Sequence, residues 1–180
     1  MSVAPAAVPV ATVRRPVTMV ASLLAAALLI ANAVVGFVAP DQVADHSAGA
    51  GQLSEALAGL SFIAGAIAII PLIPRGMLAR IIWVLAIVSL VAFGLTMLSV
   101  VVTGVEPSAE VVTVVTAAVG LTLIGIGIVG IMRRVWPWWV GVLVAVLVPI
   151  MFFVPFNSVF MAVVWVLVAW RARPETPASD

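Results

Sequence analysis

The chain contains long apolar stretches with no charged residue inside them, and this feature constrains the fold more than any other. A helix of about twenty apolar residues crosses a hydrocarbon core of about 30 Å. Six stretches lie between charged or turn-forming breaks, at residues 17–39, 55–73, 81–104, 111–132, 135–154 and 155–170. The first four are each long enough for one crossing. The sequence therefore predicts an all-α integral membrane protein.

Composition supports lipid as the solvent for this chain. Hydrophobic residues make up 65% of it, charged residues 8%, and its mean hydropathy is +1.36. A soluble domain carries about a quarter charged residues, so this chain has too few to cover itself in water. It has no cysteine, which excludes disulfides, thiolate metal sites and cysteine catalysis.

No charged residue separates the last two stretches, so helix length decides whether they cross the membrane once or twice. One straight helix over residues 135–170 would be about 54 Å long, which is too long for a single crossing. Two crossings of about 27 Å fit, with a turn at Pro155-Phe156-Asn157-Ser158. We therefore predict a six-transmembrane-helix bundle.

The charges of the chain are segregated in a way that fits six crossings. All basic side chains then fall on one side: Arg14, Arg15, Arg75, Arg80, Arg133, Arg134, Arg171 and Arg173. The opposite side receives Asp41, Asp45, Glu55, Glu106 and Glu110, while Glu175 and Asp180 stay in the C-terminal tail on the arginine side. Basic loops remain in the cytoplasm, which predicts cytoplasmic termini. The six tryptophans lie near the arginines, as an interfacial belt would.

Domain organisation follows from the same pattern. We expect one membrane domain over residues 17–173, between disordered segments at 1–16 and 174–180 that are rich in Pro, Ala and Ser. A cleaved signal peptide ending at Ala31-Asn32-Ala33 is an alternative for the first stretch. However, its apolar run continues to Val38, beyond a typical signal. The absence of lysine, with abundant Ala and Val, indicates a GC-rich bacterial source, and hence the bacterial cytoplasmic membrane.

The stretch "GIGIVG" at residues 125–130 fits the G-x-G-x-x-G pattern of dinucleotide sites but lacks their context. No strand precedes it, no helix starts within it, and no acidic residue follows until Glu175. Small residues instead recur at helical spacing, which lets helices in lipid pack closely. These predicted packing stripes include Ser61, Gly65, Ser89, Thr96, Thr116, Gly120, Gly127 and Gly130. They predict a core formed by the first four helices.

The same hydroxyl groups allow a second interpretation, a polar crevice for a solute. Hydroxyl groups in lipid more often bond their own helix or a neighbour. Asn32, the most polar side chain well inside a stretch, is expected to form an interhelical hydrogen bond. Pro149 is expected to kink the fifth helix, as it does in many membrane helices and at some transporter sites.

Candidate chemistry is confined to the loops opposite the arginines. Asp41, Asp45, His46, Glu106 and Glu110 are the candidates for a divalent-metal or catalytic site, and His46 is the one histidine. Helix starts explain some of the acids equally well, with Ser54 as the N-cap of the second helix and Pro107 in the first turn of the fourth.

The sequence favours a non-enzymatic protein that acts by helix packing with itself or a membrane partner. The membrane interior carries no predicted charge, which argues against ion-coupled transport and intramembrane proteolysis. We expect no cofactor and no nucleic-acid partner; lipid, a second copy or another membrane protein are the expected partners. The alternatives are a small permease or channel for a neutral or apolar solute, and an enzyme or metal-binding protein with its site near His46.

Overall fold

A computed structural model of the chain describes residues 11–154 and 156–171, and side chains from residue 16 onward. Its regular structure in these ranges is entirely helical, with seven α-helices and a 3₁₀ turn at Ile70–Leu72. The helices are α1 (Ala11–Val38), α2 (Gly49–Ile69), α3 (Met77–Thr103), α4 (Ala109–Met132), α5 (Trp138–Ala145), α6 (Leu147–Phe153) and α7 (Asn157–Arg171).

Four helical segments are long and apolar enough to cross a membrane. They are Pro16–Val38, Gly49–Leu72, Met77–Thr103 and Ala109–Met132. The prediction of an all-helical membrane protein is confirmed to this extent. The remaining helices are shorter, with 8, 7 and 15 residues. The number of six membrane crossings and the side of the membrane on which the termini lie stay predictions.

Both predicted interruptions near the C-terminal end of the chain are confirmed. The backbone leaves the helix at Val146, between α5 and α6. Pro149 lacks the N–H that would bond the carbonyl of Ala145, so the helix breaks within the preceding turn. A second break separates Phe153 from Asn157, at the predicted turn. Phe156 there has a φ of 56°.

Packing follows chain order, and α7 closes the arrangement by packing on α1. The buried core extends beyond the first four helices, because Val140 and Val144 of α5 and Trp165 and Val168 of α7 belong to it. The sequence-based expectation of a core made by four helices alone was therefore too narrow.

Glycines permit close approach at two backbone contacts. A Cβ added to Gly127 would lie 2.5 Å from the carbonyl oxygen of Gly141, so the predicted stripe on α4 packs against α5. At the α2–α3 contact, a Cβ on Gly94 would lie 2.6 Å from the carbonyl oxygen of Gly59. This second pair was not among the predicted stripes. Gly65 of α2 packs instead under the Trp165 ring.

Most hydroxyl groups of the predicted stripes bond their own helices, the arrangement that the sequence favoured over a polar crevice. The hydroxyl groups of Ser61, Ser89 and Thr96 donate to carbonyl oxygens of their own helices at 2.7 to 2.9 Å. Ser99, Thr103 and Thr113 do the same. Thr116 is the exception, because its buried hydroxyl oxygen has no hydrogen-bond partner among the described residues.

Tryptophans are divided between the core and the surface of the bundle, and the predicted interfacial belt stays a prediction. Trp83, Trp136 and Trp165 are buried, whereas Trp138 and Trp170 are exposed. Trp83 donates its indole N–H to the carbonyl oxygen of Ile69 at 2.8 Å, and its ring stacks on Trp136 with centroids 5.3 Å apart. This side chain therefore satisfies a carbonyl at the end of α2.

Trp83→Phe is expected to lower the free energy of unfolding by about 1–2 kcal/mol. The ring stack remains, but the Ile69 carbonyl loses its side-chain donor and part of the ring volume becomes a void. Chemical denaturation in detergent measures the change. Trp170→Phe, at an exposed position, is the control and should shift stability by less than about 0.5 kcal/mol. Equal losses in both variants would contradict the role of Trp83.

The C-terminus of α4 has the hydrogen bonds of a Schellman motif. Val135 N–H donates to Gly130 O at 2.9 Å and Arg134 N–H to Ile131 O at 3.1 Å. Arg134 occupies the left-handed position with a φ of 55°, where glycine is usual. A non-glycine residue there costs about 1–2 kcal/mol. The backbone thus carries an arginine at a position that would favour glycine.

Candidate functional site

The acidic end of the bundle comprises the α1–α2 loop at residues 39–48, the α3–α4 loop at 104–108 and the α6–α7 turn. Phe156 of that turn stacks on Phe37 at the end of α1, with ring centroids 4.7 Å apart. His46 and Glu106 line one cavity together with Met151 and Phe152, so the three connections meet at one end of the molecule.

The α1–α2 loop is held by Asp45. Its Oδ1 accepts hydrogen bonds from the Ser47 hydroxyl group at 2.7 Å and the Ser47 N–H at 3.1 Å. The hydroxyl hydrogen bond is the main reason that the pKa of Asp45 is lowered below its ordinary value. Gly51 packs directly beneath the Asp45 carbonyl, where a Cβ would overlap it. This compact turn places the following residue, His46, over the start of α2.

Helix α2 begins at Gly49, six residues before the predicted stretch. Its N-cap is Ala48, without a side-chain cap, so the assignment of Ser54 as N-cap was wrong. Ser54 and Glu55 consequently lie in the second turn of the helix. Glu55 is only 16% exposed in its side chain, and its Oε1 lies 2.8 Å from Nδ1 of His46. The structure thus brings a half-buried carboxyl group into the bundle.

A network of side-chain hydrogen bonds, called the polar network, includes Ser54, the residue before Glu55. Ser54 Oγ donates to Asn32 Oδ1 at 2.6 Å, and Asn32 Nδ2 donates to Ser158 Oγ at 3.0 Å. Ser158 Oγ donates to Asn157 Oδ1 at 3.2 Å, and Asn157 Nδ2 donates to the carbonyl oxygen of Met151. The expected interhelical bond of Asn32 is confirmed. The polar network joins α1, α2, α6 and α7.

Two cavities adjoin Glu55. The first has a volume of about 340 Å³ and is lined by the side chains of the polar network. The second, of about 420 Å³, is lined by His46, Glu106 and Thr116 with apolar neighbours. Both are lined by Glu55, Met97 and Met151. Glu55 is therefore the polar group common to both spaces.

The second cavity adjoins a groove between α4 and α6. This groove has a volume of about 650 Å³ and an almost wholly apolar lining that includes Gly120, Leu121 and Pro149. Val112 and Thr116 line both spaces. The groove and the second cavity, which Glu55 lines, are therefore neighbours.

The candidate metal residues are only partly brought together. His46 and Glu106 line one cavity, whereas Asp41 and Glu110 are exposed and Asp45 is engaged by Ser47. In the part of the chain that the structure describes, no group of three or more His, Cys, Asp or Glu side chains could hold a metal ion. Glu110 does lie in the first turn of α4, but the N-cap is Ser108, so Pro107 precedes the helix.

Sequence reasoning placed Glu55 among the acids of this end but not among the candidate metal ligands. It was read as the start of a membrane stretch, because the small residues before it resemble a loop. One signal was present in the sequence: Asn32, Ser54, Asn157 and Ser158 are polar residues at the same end of three different apolar stretches.

No known protein family, curated protein or solved structure matches the chain. Its function has to be inferred from the geometry of the acidic end itself.

Proposed function

We propose that this chain is a non-enzymatic, multi-pass protein of the bacterial cytoplasmic membrane that binds a small solute at its acidic end, as a small permease does. The observation that carries the proposal is Glu55, a half-buried carboxyl group that lines two cavities. Cavities of this size, mostly apolar with a few convergent polar groups, are typical of small-molecule sites.

The lining of the cavities indicates the chemistry of the solute. Carboxyl groups of Glu55 and Glu106 accept hydrogen bonds, while Phe93, Met97 and Phe152 provide apolar and aromatic surface. A solute with a donating or cationic head and an apolar body matches both features. The groove between α4 and α6 supports access for such an amphiphile from the lipid.

The membrane placement that goes with this proposal has six crossings and both termini in the cytoplasm. It is supported by the charge pattern, since the described arginines from Arg75 onward lie at or next to helix ends opposite Glu55 and Glu106. The acidic end then faces outward, where a solute is collected.

The hypothesis of helix packing with a second copy or a membrane partner is the second candidate. One observation favours it: the groove between α4 and α6 exposes small residues, including Thr113 and Ala117, on a long apolar helix. Such faces allow close helix association in lipid. A stable dimer or heteromer with the groove covered, found by native mass spectrometry, would favour this candidate over solute binding.

The solute-binding proposal is tested with hexylammonium, a small cation with an apolar body. In nanodiscs, it should raise the melting temperature of the wild-type protein. Glu55→Gln should weaken the apparent affinity about tenfold or more, because a hydrogen bond to a charged group contributes about 1.5–3 kcal/mol.

Glu110→Gln is the matched control, because it removes an exposed acid at the same end. It should respond to hexylammonium like the wild type. Hexanoate, with the opposite charge, should not stabilise any of the three proteins. An unchanged response in Glu55→Gln, or no response in the wild type, would refute the proposal.

A further inference from the structure

We propose that the opposite end of the molecule, the arginine end, binds the phosphate group of an anionic lipid between Arg134 and Arg171. The arginine end comprises the loop at residues 73–76, the loop at 133–137 and the C-terminus of α7. This site shares no residue with the acidic end, so it stands or falls independently of the proposed solute site.

Arg134 and Arg171 line a single pocket of about 420 Å³. The rest of its lining is Ile131, Val135, Trp136, Pro137 and Trp138. No carboxyl group is among these residues. Within residues 16–154 and 156–171, neither guanidinium forms an ion pair with a carboxylate. Two positive charges therefore converge on one space without an anion from the described chain.

The side chain of Arg171 is preorganised to donate hydrogen bonds to an anion. Its guanidinium carbon lies 4.4 Å from the centroid of the Trp170 ring and 5.9 Å from that of Trp139. Aromatic faces hold a guanidinium by cation–π attraction. Its Nε is buried and has no hydrogen-bond partner among the described residues. A buried donor without an acceptor is unfavourable, and a bound anion would remove that deficiency.

Arg134 reaches the pocket from the strained end of α4. Its left-handed backbone would suit glycine, as described above. Arg134 nevertheless lines the same pocket as Arg171. The neighbouring Arg133 does not line it, because its guanidinium lies against Gly76, 3.0 Å from where a Cβ would stand. Two consecutive arginines thus face different surroundings.

The chemistry of the pocket selects a phosphate. Planar guanidinium groups donate paired hydrogen bonds that match phosphate oxygens. Trp138 is 69% exposed and Trp170 is 66% exposed, next to the two arginines. Exposed tryptophans are typical of the level of lipid headgroups, and basic pockets beside membrane helices bind anionic headgroups. These features favour a lipid phosphate over a soluble one.

The test compares melting temperatures in phosphatidylcholine nanodiscs with and without phosphatidylglycerol. The wild-type protein should melt at a higher temperature with phosphatidylglycerol. Arg134→Gly and Arg171→Gln should lose most of that increase. Because Arg134→Gly relieves the left-handed strain, its stability in phosphatidylcholine alone should equal or exceed that of the wild type, which separates lost binding from lost folding.

Arg133→Ala is the matched control, since it removes the adjacent charge outside the pocket and should keep the full phosphatidylglycerol response. The assignment is overturned if Arg134→Gly and Arg171→Gln respond like the wild type, or if Arg133→Ala loses as much. A further arm adds inorganic phosphate to phosphatidylcholine nanodiscs. One outcome of this arm is that inorganic phosphate stabilises the protein through both arginines while phosphatidylglycerol has no additional effect. That result would contradict a lipid ligand and would identify a soluble phosphate as the ligand.

Discussion

Replacing Gly127 with leucine is expected to lower the free energy of unfolding by about 3 kcal/mol or more, the largest effect of any substitution considered. Even a Cβ at this position would lie 2.5 Å from the Gly141 carbonyl oxygen and 2.9 Å from the Cβ of Ala145. Both groups belong to α5, so the helices must separate to accommodate the side chain. The loss is measured by denaturation in detergent, followed by tryptophan fluorescence.

Alanine substitutions at two glycines of α4 provide the sharpest control. Alanine favours a helix over glycine by about 1 kcal/mol. At Gly120 a Cβ would make only ordinary contacts, at 3.5 Å from Val148, so Gly120→Ala should be neutral or stabilising. Gly127→Ala should be destabilising despite the same gain in propensity. Opposite signs are the expected result, and equal stabilisation of both would show that α4 and α5 do not pack as described.

Asn32→Leu is expected to lower the free energy of unfolding by about 2 kcal/mol. Asn32 accepts from Ser54 and donates to Ser158, so a leucine of similar size leaves the Ser54 hydroxyl group without its acceptor and removes the donor to Ser158. These bonds connect α1 to α2 and to α7. Denaturation in detergent measures the loss.

Thr122→Val is the control for this loss, since Thr122 bonds only carbonyl oxygens of its own helix. It removes one hydroxyl group without breaking an interhelical bond and should change stability by less than about 0.5 kcal/mol. If Asn32→Leu is no more destabilising than Thr122→Val, the polar network does not hold the helices together.

Much of the fold could be predicted where local chemistry decides it. The break before Pro149 follows from a missing N–H, which no tertiary contact restores. The turn at Phe156 was predicted by comparing helix length with membrane thickness. The interhelical bond of Asn32 was predictable because an amide in lipid has no water as an alternative partner.

The candidate site was harder to predict, because its residues belong to distant parts of the chain. The start of α2 at Gly49 was missed since Gly49, Gly51 and Ser54 are residues that also form loops. As a result Glu55 was assigned to a helix terminus and not to a cavity. The contact between Gly59 and Gly94 was missed for a related reason: spacing along one helix does not identify the partner helix.

The amino-acid sequence by itself determined that the regular structure of the described residues is helical and that four of the helices are long and apolar enough to cross a membrane. Hydropathy and helix length are sums over neighbouring residues, so they can be read without knowing any long-range contact. Only the tertiary structure decided which polar groups meet. His46 and Glu55 form a pair, and Arg134 and Arg171 share a pocket. These contacts depend on helix rotation and on single turns of backbone, which the pattern of apolar residues leaves open.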